Sequence, residues 1–166
     1  MNLYLDTEFD GHGGALISLA LAAEGGKHWY GIFEPYPRDE WVKENVKPKL
    51  YAMQPTIKTD PLEDHILDVL RASLKEYLLT RMLDRSGLTI WADWPDDFAH
   101  MMRLMSGPSY GESFMIPCTM QLIVTPDGEP KPEIPHNALS DAIALMQWHQ
   151  DQSRHLIDDA ETLNHE

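Results

Sequence analysis

Three apolar runs follow one another with only short turns between them, and this succession constrains the fold more than any other feature of the chain. Leu3 to Asp6 reads as a first strand, Ala15 to Ala23 as a second. Glu24-Gly25-Gly26-Lys27 supplies a hairpin turn, and His28 to Glu34 reads as a third strand. A parallel neighbour needs a long crossover, so strands in direct succession imply an antiparallel meander. Pro35 and Pro37 then break the pattern. Beyond them the chain turns helical. Arg38 to Val46 reads as a short helix ended by Pro48, and Asp60-Pro61 opens a longer one. Leu62, Ile66, Val69, Leu70, Leu74, Tyr77 and Leu78 follow helical spacing to about Leu83, with Gly87 as the stop. Leu88 to Ala92 is a short apolar strand, and Asp96 to Met105 is helical.

The remainder is more irregular. Ser106 to Pro117 is a loop punctuated by Gly and Pro, Met120 to Val124 fits strand or helix, and Pro126 to Pro135 is an irregular connection. Asn137 to Leu156 is a last helix, with Ala138, Ala142, Leu145 and His149 on one face. Strands first, then helices alternating with further strand, indicate an α/β or α+β sheet with helices packed on it. A chain of 166 residues suits one domain, read here as residues 1–157 with an acidic, frayed tail over 158–166.

The net charge of −14 argues against broad adhesion to nucleic acid. It leaves room for a nucleic acid substrate when bound cations bring the positive charge. The single Cys118 excludes an internal disulfide and fits a reducing compartment. The N-terminus lacks a basic region before an apolar stretch, and no apolar run is long enough to span a bilayer. The expectation is a cytoplasmic protein with no membrane partner.

Asp6-Thr7-Glu8 closes the first strand. Side chains alternate along a strand, so Asp6 and Glu8 share a face. Carboxylates side by side repel, and a divalent cation removes the repulsion; oxygen-rich clusters suit Mg²⁺ or Mn²⁺ rather than zinc. A second acidic cluster, Asp93-Trp94-Pro95-Asp96-Asp97, leads from a strand into a helix. Acids there commonly cap free amides, which is the reading for Asp93 and Asp96, whereas Asp97 is the metal candidate. His136-Asn137-Ala138-Leu139-Ser140-Asp141 opens the last helix. A histidine titrates near neutrality and can accept a proton at physiological pH.

In this order the three clusters resemble the DnaQ-like exonucleases that carry four carboxylates and a catalytic histidine. Asp6-Thr7-Glu8-Phe9 is similar to the family's first motif, Asp97 to the second, and His136 through Ala142 to the third. The third motif, by its spacing to Asp141, is the most specific. The small mycobacterial-type 3′→5′ exoribonuclease group is a closer likeness, through Leu16-Ile17-Ser18-Leu19, Trp41-Val42 and Lys47-Pro48-Lys49-Leu50. The chain departs from the wider family at Asp93, where Asn is usual. The resemblance implies a ribonuclease H-like fold, with a mixed central sheet flanked by helices. It also implies two divalent ions held by Asp6, Glu8, Asp97 and Asp141, with His136 as general base. The implied reaction removes nucleoside 5′-monophosphates from the 3′ end of RNA or single-stranded DNA, RNA favoured.

A terminal nucleotide needs a pocket, for which Phe9, His12 and Trp94 are candidates. Among the other tryptophans, Trp41 reads as packing, Trp91 as core, and Trp148 as packing or a surface for a second copy in a homodimer. Arg38, Lys43, Lys47, Lys49 and Lys58 form the leading candidate for a phosphate path. Two competing functions use the same residues differently. A single-stranded DNA exonuclease needs the same carboxylates. A non-catalytic acidic mimic of nucleic acid needs surface charge but neither a base nor a metal pocket.

Overall fold

A computed structural model describes residues 1–33, 36–57, 66–82, 87–107, 113–124 and 130–163, the side chains beyond residue 154 excepted. The expected meander forms. β1 (Asn2–Phe9) pairs antiparallel with β2 (Leu16–Ala23), which pairs antiparallel with β3 (His28–Ile32). β4 (Thr89–Ala92) lies parallel to β1, and β5 (Thr119–Leu122) lies parallel to β4. The strand order is β3-β2-β1-β4-β5, so the chain crosses back to place its fourth strand beside its first. The segment that fitted strand or helix is thus a strand, ending at Leu122.

The turn from β1 to β2 depends on glycine. The Asp10 amide donates to the Ala15 carbonyl at 2.9 Å, closing the loop. A Cβ on Gly14 would meet the Asp10 carbonyl oxygen at 1.8 Å, so no other residue fits there. Asp10 also accepts from the Arg38 and Asp39 amides, which ties this loop to the start of α1.

Helices cover both faces of the sheet. On one, Leu3, Leu5, Leu19, Leu21 and Ile90 pack against Leu70, Leu74 and Leu78 of α2 (Ile66–Met82) and Met101 and Met105 of α3 (Pro95–Ser106). On the other, Tyr4, Ala20, Ala22 and Tyr30 meet Ala138, Ala142 and Leu145 of α4 (Ala138–Leu163). Alanines on both partners let α4 lie close to the strands. α1 (Glu40–Asn45) adds Val42 to this second cluster and is capped by the Asp39 carboxylate, which accepts from the Val42 amide at 3.0 Å. Among the described residues this is a mixed α/β fold of five strands and four α-helices.

Several boundaries differ from expectation. The short helix ends at Asn45, and Pro48 sits inside a separate 3₁₀ turn, Lys47–Lys49, rather than ending α1. Proline is accepted there because the first turn of a helix leaves its amide unused. α4 runs past Leu156 to Leu163, so residues 158–163 of the expected tail are helical in backbone, and 164–166 lie outside the described residues. The start of α2 at Asp60-Pro61 also lies outside them. Trp91 and Trp148 are half-buried against the α4 face of the core, and no described helix is long and apolar enough to cross a membrane.

Candidate metal centre

Alternation along β1 sends Thr7 to the α3 side of the sheet and Asp6 and Glu8 to the α4 side, where they oppose the small residues Ala20 and Ser18. The parallel register of β1 and β4 runs from Asn2–Thr89 to Tyr4–Trp91. Continued past the end of β4, it sets Asp93 level with Asp6. α3 then brings Asp97 back over the end of β1, where the Thr7 amide and hydroxyl both donate to Asp97 Oδ1, at 3.1 and 2.6 Å. These two bonds engage one oxygen only. Asp97 is buried, and its Oδ2 has no hydrogen-bond partner among the described residues.

The third element is the start of α4. Asn137 is fully buried and caps the helix, its Oδ1 accepting from the Ser140 amide at 3.2 Å. Its Nδ2 donates to the Lys49 carbonyl at 2.8 Å and the Tyr30 hydroxyl at 3.2 Å. The Asn137 amide donates to Asp141 Oδ2 at 3.0 Å. The cap therefore fixes the helix start to the sheet and aims Asp141 at β1. His136 precedes it with φ 63°, a conformation that only this non-glycine residue adopts among the described residues. Its ring meets the Trp41 ring edge-on, centroids 5.0 Å apart.

Two groups of carboxylate oxygens result, each lying within 4.8 Å of one another: Asp6, Glu8 and Asp141, and Asp6, Asp93 and Asp97. Asp6 belongs to both. All five residues, with Phe9, His12, Trp41, Trp94, Lys131 and His136, line one cleft of about 1430 Å³. Burial, then the charges of Asp97, Glu8, Asp141 and Asp93, hold the Asp6 carboxyl well above the usual range. Burial and the charges of Asp141 and Asp97 push Glu8 up to about 8. Burial takes Asp97 up to about 7 against the pull of its Thr7 bonds, and Asp141 up to about 6 against the Asn137 and His136 amides. Burial and the Lys49 charge push the His136 imidazole below its ordinary value.

The cluster fits a divalent cation on two counts. The donors are all oxygen, the set that suits Mg²⁺ or Mn²⁺. A cation would also relieve mutual repulsion and give the orphaned Asp97 oxygen a partner.

The four acids singled out in the sequence thus converge, with His136 at the rim of the same cleft. Two assignments change. Asp93 does not cap α3, whose N-cap is Trp94 with no side-chain cap bond; its carboxylate joins Asp6 and Asp97 instead. Trp41 packs on the His136 ring and not into the core. It is 52% exposed and forms part of the cleft wall. Phe9 stacks on His100 with centroids 4.9 Å apart, and Trp94 is 56% exposed. Of the basic cluster, Lys49 acts electrostatically on Glu8, Asp141 and His136. Lys43 is paired with Glu40 at 2.6 Å, Lys47 lies over the Tyr36 ring, and Lys58 lies outside the described residues. Lys131, which no sequence pattern marked, borders the cleft.

A mixed α/β sheet that gathers acids at the ends of adjacent β1 and β4 defines a candidate metal-binding protein. No known family profile matches the chain. The chain is similar to a curated 3′-5′ exoribonuclease of Mycobacterium tuberculosis, in strains CDC 1551 and H37Rv alike, at 30% identity over 106 residues. The match covers 61% of this chain and 58% of each relative. The resemblance to the mycobacterial-type 3′→5′ exoribonuclease group is borne out by these relatives.

Proposed function

We propose that the chain is a divalent-metal-dependent 3′→5′ exonuclease, with RNA favoured over DNA, that releases nucleoside 5′-monophosphates. The observation that carries this reading is the convergence of Asp6, Glu8, Asp97 and Asp141, from three separate elements, in a cleft that His136 borders. The strand order and the antiparallel first three strands support a ribonuclease H-like fold. The name of the mycobacterial relatives supports RNA and the 3′ end.

Asp6, Glu8 and Asp141 would hold one ion, and Asp6 with Asp97 would hold part of a second. Divalent ions supply Lewis acidity to a scissile phosphodiester and make water easier to ionise. The protein's own groups do the rest. Thr7 fixes Asp97 in one orientation, and the Asn137 cap fixes Asp141. His136 is neutral at physiological pH because its imidazole is pushed down, so it accepts the proton of the attacking water at a ring nitrogen. Trp41, Trp94 and Phe9 offer aromatic faces to a terminal base, and Lys49 and Lys131 offer positive charge to the phosphates.

The gathering of five acids from separate elements into one cleft, with Asp97 buried, speaks against the acidic-mimic reading, since mimicry requires charge spread over a surface that meets a partner. The single-stranded DNA exonuclease remains the second reading, because nothing among the described residues singles out a ribose hydroxyl. The test is digestion of matched 5′-labelled RNA and DNA oligonucleotides with Mn²⁺. A descending ladder, faster on RNA, is expected. Immediate release of labelled mononucleotide means the opposite polarity, and cutting of a circular substrate means an endonuclease.

A further inference from the structure

Asp93 is the acid of the cleft to which the proposed function gives no role. It follows the last residue of β4 and precedes the Trp94 N-cap of α3, so it is held between two regular elements. It does not cap the helix. One of its carboxylate oxygens lies within 4.8 Å of oxygens from Asp6 and Asp97.

The state of Asp97 gives this position its meaning. Asp97 is 1% exposed, both Thr7 bonds fall on Oδ1, and Oδ2 is buried with no hydrogen-bond partner among the described residues. An acceptor left so is costly unless a donor or a cation reaches it. An asparagine at 93 could turn its amide N–H toward such an oxygen. An ionised aspartate has no donor and adds a further acceptor. Three carboxylates then face one another, and they need either retained protons or a cation between them.

We propose that Asp93 is a direct ligand of the second divalent cation, completing with Asp6 and Asp97 a subsite distinct from the Asp6/Glu8/Asp141 subsite. The inference rests on the proposed nuclease reading for the presence of an ion at Asp6. It adds that this chain binds its second ion through protein carboxylates, where an asparagine would leave that ion more dependent on bound substrate. The second ion is therefore held before RNA arrives.

The test is Mn²⁺ titration of the full chain, without nucleic acid, followed by electron paramagnetic resonance. The wild type should take up two ions per chain, with the second broadening the spectrum through spin–spin coupling. Asp93→Asn should keep the first ion and weaken the second by more than about 10–100-fold, the range for losing a group that only supports a ligand. Asp96→Asn, the same charge change three residues away, should leave both ions in place. Melting curves of the metal-free variants check folding, and Asp93→Ser provides a second variant of the site.

Wild-type affinity for two ions in Asp93→Asn and Asp93→Ser would overturn the ligand role and leave the nuclease reading standing. An equal loss in Asp96→Asn would likewise overturn it, assigning the effect to net charge. A wild-type chain that takes up no Mn²⁺, or whose first ion is indifferent to Glu8→Gln, would remove the nuclease reading itself.

Discussion

His136 holds a left-handed backbone conformation, φ 63°, that costs a non-glycine residue on the order of 1 kcal/mol or more. The strain is sustained by its neighbour Asn137, which is buried and bonded on both sides of its side-chain amide. Trp41 flanks the ring. A residue so placed is fixed relative to Asp141, and its proposed role has a distinct signature. His136→Ala should lower kcat by roughly 10²–10⁴-fold, the usual worth of a general base, while Mn²⁺ affinity changes little. In the wild type, activity should rise with pH along a limb centred below 6.5, since the imidazole is pushed down from that value and only the neutral ring accepts a proton. The variant should lose that limb. Turnover near the wild-type rate in His136→Ala would make the histidine a structural loop residue. Some of these residues are legible in the chain and others are not. Asp6 and Glu8 follow from alternation on one strand. Asp93 is opaque because an acid ahead of a helix has the same composition whether it caps or coordinates. Trp41 is opaque because helical spacing assigns residues to a common face without saying what that face meets.

Elements are legible wherever one period runs long enough. The β1–β3 meander follows directly from spacing, and so do Leu70, Leu74 and Leu78 of the α2 stripe, whereas Val69, read on the same face, is exposed and Leu62 lies outside the described residues. β5 is ambiguous because its four residues are mostly exposed, leaving no inside-outside alternation to read. The bond partners of Asn137 are invisible in sequence, since those that anchor its Nδ2 come from distant parts of the chain. They make the N-terminus of α4 a junction between helix, sheet and the Lys47–Lys49 turn. Asn137→Ala should therefore cost more than an exposed cap. The loss is the cap, about 1 kcal/mol, plus the unmet Lys49 carbonyl, about 1–3 kcal/mol where that group stays dry. Denaturant unfolding measures this. Activity should fall further than the folded fraction accounts for, because the same side chain sets the positions of Asp141 and His136. Asn137→Asp offers a contrast. It keeps the acceptor for the Ser140 amide but turns a donor toward Lys49 into an acceptor, so it should rescue little. Full recovery by aspartate would show that the cap alone mattered.

At the scale of the molecule, the parallel crossover that sets β4 beside β1 is beyond the reach of periodicity, which reports faces but not neighbours. Yet that crossover assembles the acidic centre, by bringing the ends of two neighbouring inner strands, far apart in sequence, to the same end of the sheet. Its consequence for stability is a pH dependence with a definite sign. Glu8 is raised from 4.5 to about 8, Asp97 from 3.8 to about 7, and Asp141 from 3.8 to about 6. In the metal-free protein these groups keep protons that the unfolded chain has already released. The native state then binds more protons than the unfolded state, so stability falls as pH rises. The loss begins near pH 4, where the unfolded carboxyls ionise, and continues through the folded values up to about 8. Measured against Glu8→Gln, the wild-type midpoint in EDTA should therefore fall across that window, the variant flattening its upper part by removing one of the repelling charges; His100, His136 and His149, pushed down by burial, act in the opposite sense in both proteins. Mn²⁺ should act in the opposite sense. It competes with the protons, so its stabilisation should be small at about pH 5 and large at about pH 8, reaching about 2.7 kcal/mol at a hundredfold excess over the dissociation constant. A wild-type midpoint in EDTA that climbs across that window relative to Glu8→Gln would contradict a buried, mutually repelling cluster. A Mn²⁺ effect independent of pH would place the ion somewhere other than among these acids.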